Sequence, residues 1–299
     1  MRNGKHAPSI ENLCPDFLAF WEQARGKSLA EQERLWHDLY EAPHQELLEI
    51  YFTFFGSRAN LSFALQRYEA VVPTIRAMSP AVEELIHTIE PRCGKLFEMP
   101  EMDAAYVLMV GVFDSDSWST TWRGRPTSFL AMEAESNSRL RNLEITIAHE
   151  AAHGYHKACR PDYHTGMVVA GEVFAEGLAI LVSTLLSPGA PEEAYLWPGG
   201  EMTRHGQSCA EWVAECDGRL DLLCESILRD LERSDPESQS LYFHMHDQPQ
   251  HPIPARAGYV VGYRMVQRLA QAHTVAEMAR WPLERVNQEL RAVLALESL

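Results

Sequence analysis

The chain has 299 residues, 46% hydrophobic and 23% charged, a globular composition with enough apolar material for a sizeable core. Its formal charge of -16, from 42 acidic against 26 basic residues, sets up a field that repels phosphate backbones and anionic lipid, so neither nucleic acid nor a membrane is an expected partner. No apolar run before Pro15 suits a signal peptide, and no uncharged apolar stretch of about 18 residues reads as a membrane span, so a cytoplasmic location is expected.

Residues 1–95 read as a helical section. Phe17, Phe20, Trp21 and Ala24 share one helical face, and Ser28 with Glu31 forms an S-x-x-E capping box ahead of Leu35, Trp36 and Leu39. Pro43 interrupts, the pattern resumes through Leu47, Leu48, Tyr51 and Phe55, and Ser79-Pro80 has the form of an N-cap followed by proline in the first turn. The character then changes. Ala105 to Phe113 is an apolar, β-favouring run, and Thr127 to Glu133 is a second, so a small sheet is expected. The polar stretch Asp114 to Arg125 between them suits a hairpin connection or a loop over a site, with Trp118 and Trp122 either lining a cleft or partly buried.

From Asn142 the chain returns to helices, expected over Leu143–Cys159, Met167–Leu186, Gln207–Leu231 and Ala257–Ala272, with a proline-bearing loop from Asp235 to Pro254. The expected fold is therefore α+β, predominantly helical, with residues 96–299 forming a catalytic domain behind the N-terminal helices. Six scattered cysteines without a C-x-x-C pair read as reduced thiols; Cys209, Cys216 and Cys224 recur on one helical face as buried core residues would.

One motif carries chemistry. TIAHEAAHGYH contains H-E-x-x-H at His149, Glu150 and His153. On a helix the two histidines share a face about 6 Å apart along the axis, so both imidazoles reach one metal ion, with Glu150 beside it to take a proton from water. An accidental match is expected in about one chain in twenty of this composition, so a third ligand has to support it. GEVFAEGLA, at 171–179, places Glu172 and Glu176 on one face of an otherwise apolar helix. Two carboxylates buried there need a partner such as a metal to offset their desolvation, or else solvent on an amphipathic face. Catalytic zinc takes three protein ligands, with two histidines and a glutamate a recurring set.

At these residues the sequence resembles the gluzincin metallopeptidases, and more closely the YjaZ-like (DUF2268) family of predicted zinc-dependent proteases. GVFDSDSW to FLAMEA, AHEAAHGYH followed by FAEGLA, and RAGYVVGYRMV carry the likeness, over roughly Tyr106 to Val266. The resemblance implies a gluzincin-like catalytic domain with one zinc per chain, a peptide or protein substrate, and Glu176 of E-G-L-A as third ligand. Eighteen residues lie between His153 and Glu172, a gap common in gluzincins, so Glu172 is either an alternative ligand or a second carboxylate orienting a histidine. A tyrosine from the pair Tyr259 and Tyr263, four apart on one helix, is the candidate to stabilise the oxyanion, unless both are core residues. His244, His246 and His251 lie just upstream. The resemblance further implies that the strand around Ser128 to Met132 pairs along its edge with an extended peptide.

Two other classes fit part of the pattern. Glu84/His87 and Glu150/His153 form two E-x-x-H pairs of the kind used by di-iron carboxylate bundles, which would leave His149 idle. A non-catalytic zinc-binding regulatory module needs the ligands but has no use for Glu150. Zinc hydrolase chemistry accounts for all three motif residues. Oligomeric state is not encoded legibly.

Overall fold

The computed structural model describes residues 8–164, 168–200, 206–244 and 253–297. The chain divides into two compact units, the first made of residues 1–90 and 103–150, the second of 91–102 and 151–299.

The first unit opens with strand β1 (Ser9–Asn12) and helices α1 (Cys14–Ala24), α2 (Leu29–Trp36), α3 (Gln45–Phe54), α4 (Leu61–Leu65) and α5 (Tyr68–Leu96). All four residues of the expected apolar face of α1 are buried, and α2 begins with the Ser28/Glu31 capping box. Phe17 packs edge-on against Tyr68 at 4.9 Å between ring centres, and Trp36 stacks on the same tyrosine at 5.6 Å. Burying a side chain such as Phe17 contributes about 1.5–3 kcal/mol. Helix α5 departs from expectation, because Ser79 and Pro80 lie inside it rather than at its start. The buried Ser79 hydroxyl accepts a hydrogen bond from Asn12 Nδ2 at 2.9 Å, so tertiary packing overrides the local capping signal.

The sheet runs β1, β2 (Ala105–Met109), β4 (Arg125–Ala131), β3 (Ser117–Trp122), with β1, β2 and β4 parallel and β3 antiparallel to β4. Every residue of β2 is buried, as in a strand covered on both faces. The stretch expected as a hairpin connection or a loop over a site is thus largely strand β3, joined to β4 by the two-residue turn Arg123-Gly124, both with positive φ. Such a turn matches the twist of a hairpin. Because β4 lies between β2 and β3, it has no free edge, and the expectation that Ser128 to Met132 pairs with a peptide is overturned.

Between β2 and β3 the chain crosses at Val110 to Phe113, held by buried side chains. The Tyr40 hydroxyl donates to the Val110 carbonyl (3.1 Å), that of Tyr68 donates to the Gly111 carbonyl (2.8 Å), and that of Tyr51 accepts from the Val112 N–H (3.0 Å). Glu133 accepts from the main-chain N–H groups of Gly111 and Phe113. A Cβ on Gly111 would stand 2.7 Å from Tyr51 and 2.8 Å from Glu133, so only glycine fits. Asn137 Nδ2 donates to the carbonyls of Asp116 (2.9 Å) and Ala131 (2.8 Å), fixing the entrance to β3. Helix α6 (Leu140–Cys159) starts in this unit and continues into the second.

The second unit is helical: α7 (Val169–Leu186), α8 (Glu192–Leu196), α9 (Cys209–Gly218), α10 (Leu220–Asp230), α11 (Pro236–Phe243), α12 (Ala257–Leu269), α13 (Val275–Met278) and α14 (Leu283–Glu297). Helix α7 is long and apolar enough to cross a membrane by length and composition, and 78% of it is buried within the fold, as a core helix would be. Helix α12 lies against it at Gly177 and Gly262, where an added Cβ would come 2.2 Å from backbone oxygen, so the two helices touch main chain to main chain. The helix expected over Gln207–Leu231 breaks at Arg219 into α9 and α10, and α11 occupies part of the expected loop, its N-terminus capped by Asp235. Cys209, Cys216 and Cys224 are buried, as expected.

Candidate metal centre

Helix α6 presents His149 and His153 one turn apart, after a run in which Ile145, Ile147 and Ala148 are fully buried. That burial orients the helix, so the two imidazoles have a fixed direction. Helix α7 faces the same problem from the apolar side: nearly every residue from Val169 to Val182 is buried, and Glu172 and Glu176 are the exceptions. One ligand atom each from His149, His153 and Glu176 lies within 4.8 Å of the other two. His153 Nε2 stands 3.5 Å from Glu176 Oε2. A tetrahedral zinc with bonds of about 2 Å spaces its ligands roughly 3.3 Å apart, so this pair fits the ion as it stands. Two imidazoles and a carboxylate are zinc donors, and three of them leave one position open.

Glu172 is the neighbour of this group rather than its third member. Burial pushes its carboxyl up to about 7, the Glu176 charge adds to the effect, and His153 opposes it.

Glu150 is buried, and its surroundings come from β3. Ser117 Oγ donates to Glu150 Oε1 at 2.9 Å, and Ser119 Oγ lies 2.9 Å from Glu150 Oε2, 2.9 Å from the Glu150 carbonyl and 3.2 Å from Ser128 Oγ. With one proton to give, Ser119 serves either the carboxylate or the carbonyl at a time. The strand reaches this position because its alternation puts Ser117 and Ser119 on one face and Trp118 and Trp122 on the other. Trp118 stacks on Phe55 (4.5 Å) and Phe129 (5.0 Å), and Trp122 Nε1 donates to Glu46 (2.9 Å). Both tryptophans are therefore packing residues of the first unit, and the cleft-lining alternative is not what they do. The serines are the residues that sequence reasoning passed over. The alternating S-W-S-T-T-W followed by R-G was the signal, masked by its polar composition.

The tyrosines of α12 separate. Tyr263 is buried, and its hydroxyl is hydrogen-bonded to Thr184, two turns beyond Glu176 along α7. Tyr259 is half-buried, with the Arg256 guanidinium 4.1 Å from its ring centre and Phe243 packed edge-on at 5.6 Å. His244 Nδ1 lies 2.8 Å from the Ser240 carbonyl at the end of α11, while His246 and His251 fall outside the described residues. Glu84 and His87 are exposed on α5 and join no cluster of three metal-binding side chains among the described residues, which removes the support for a di-iron site.

No curated protein and no solved structure matches the chain. A family described as predicted Zn-dependent proteases (DUF2268) matches residues 123–288, more than half of the sequence and the part that contains His149, Glu150, His153 and Glu176. The chain belongs to this family of predicted Zn-dependent proteases.

Proposed function

We propose that the protein is a zinc-dependent peptidase of gluzincin type, its catalytic domain spanning residues 96–299, its single metal held by His149, His153 and Glu176. The convergence of these three donor side chains within 4.8 Å carries the reading, because it joins the H-E-x-x-H helix to a carboxylate on an apolar helix that has no other need of one. Bound zinc supplies Lewis acidity, which polarises a carbonyl and makes water acidic enough near neutral pH to give up a proton. Glu150 would accept that proton at a carboxylate oxygen as the water oxygen bonds to the scissile carbonyl carbon, and would return it to the departing nitrogen, so the C–N bond breaks to a carboxylic acid and an amine and the enzyme is unchanged. Glu172 acts from behind the ligands, where a carboxylate orients an imidazole. A tyrosine of the pair Tyr259 and Tyr263 is the candidate donor to the oxyanion. The substrate is a peptide or protein.

Elemental analysis of the purified chain tests this reading. One zinc per chain is expected, lost in His149→Ala/His153→Ala, together with cleavage of internally quenched peptides that stops on chelation and returns with zinc. Glu176→Ala should weaken zinc binding more than Glu172→Ala, whose loss is expected at about 10–100-fold. The reverse ranking reassigns the ligand. Two irons, or no metal after reconstitution with zinc, would sink the proposal.

A further inference from the structure

We propose that Ser117 and Ser119 are positioning residues for Glu150, a two-hydroxyl cradle that holds the carboxylate in the orientation from which it moves a proton. The inference rests on the peptidase reading above and adds residues that lie outside the segment matched by the family, which begins at residue 123.

Four observations carry it. Each oxygen of the Glu150 carboxylate has a hydroxyl at 2.9 Å, Ser117 donating to Oε1 and Ser119 to Oε2 whenever its one proton is not given to the Glu150 carbonyl, so rotation about the last bond of the side chain is restrained from both sides. Both donors come from one strand two residues apart, so a single rigid element sets both contacts. That strand is fixed on its other face by Trp118, stacked between Phe55 and Phe129, and at its entrance by Asn137. The contacts are also specific in kind, since hydroxyls are neutral donors: they orient a carboxylate without adding the positive charge that an arginine or lysine would bring beside a metal. A proton acceptor misplaced by about 1 Å can cost about 100-fold in rate, which is the scale on which such a cradle acts.

The competing account is that the serines merely satisfy a buried carboxylate and contribute to stability alone. Kinetics and folding separate the two. Ser117→Ala, Ser119→Ala and the pair would be compared with Glu150→Gln and with Ser117→Thr/Ser119→Thr on the best-cleaved member of a mixed library of internally quenched peptides. The cradle predicts unchanged zinc content, unchanged KM, and a fall in kcat of about 10-fold for each single change and about 100-fold for the pair, largely restored by threonine. A second readout needs no turnover: the urea midpoint of the metal-free protein should fall in Ser117→Ala/Ser119→Ala but should not fall further when the same pair is introduced into Glu150→Ala. Full kcat in the alanine pair, beside an inactive Glu150→Gln, overturns the cradle and leaves the peptidase standing. An active Glu150→Gln overturns the peptidase reading and the cradle with it. Equal loss of stability with and without Glu150 assigns the serines to packing and also overturns the cradle. If the pair does not fold, the single variants carry the same comparison, each leaving one hydroxyl in place.

Discussion

Two buried carboxylates in the first unit, Glu133 and Glu150, have opposite kinds of partner. Glu133 sits under the Val110 to Phe113 crossing and accepts hydrogen bonds from main-chain N–H groups, with Tyr40, Tyr51 and Tyr68 fastening the same four residues. Glu150 accepts from two side-chain hydroxyls on β3. A carboxylate bonded to main chain shapes a loop and is spent in doing so, since its donors cannot move away without unfolding the crossing. Hydroxyls rotate and exchange partners, so a carboxylate held by them is not tied to a fixed main-chain frame. Shared burial therefore hides a division between a group that fastens a crossing and a group that, on the function proposed above, moves a proton.

Exchanging the acid for its amide at both positions breaks this comparison most directly. Glu150→Gln is expected to lower kcat/KM by about 10²–10⁴-fold with zinc content unchanged, measured by peptide cleavage and elemental analysis. Glu133→Gln should have its effect on folding. Burial raises the Glu133 carboxyl from 4.5 to about 7, so the folded state holds its proton more tightly than the unfolded state does. Its contribution to stability is then complete below pH 4.5 and is lost as pH rises through about 7, a change of about 3 kcal/mol across that window. Urea unfolding of wild type and Glu133→Gln from pH 4 to 8 should give curves that diverge over this interval, the amide variant lacking that loss of stability; parallel curves would refute the assignment.

Smaller changes sharpen the boundary between the two regions. Tyr51→Phe leaves the Val112 N–H without its acceptor and should cost about 1–3 kcal/mol in unfolding free energy. By contrast, Trp122→Phe loses one hydrogen bond to Glu46, a residue that also pairs with Arg123 on an exposed surface, and should cost less than about 1.5 kcal/mol in the same measurement. A larger effect at Trp122 than at Tyr51 would mean that β3 is anchored at its turn rather than at its entrance.

What the sequence by itself determined is what short-range geometry determines. The spacing of His149 and His153 makes sense on any helix, because a helix returns to the same face after four residues, and Glu172 and Glu176 stand out for the same reason against an apolar background. The helical character of the N-terminal section and of α6, α7 and α12 followed from apolar periodicity, and β2 and β4 from β-favouring runs. Strand β3 did not, because its polar face and its tryptophans read as a loop until β4 supplies the pairing that makes it a strand. Helix α5 likewise runs through Pro80, where local chemistry alone predicts a start, and Arg219 divides a helix that the pattern drew as one. The tertiary structure alone decided that β4 is central and not an edge, that Glu176 rather than Glu172 meets the histidines, and that Ser117 and Ser119 meet Glu150. Each of these depends on which residues far apart in the chain come within a few ångströms of one another, and pattern within one segment holds no record of that distance.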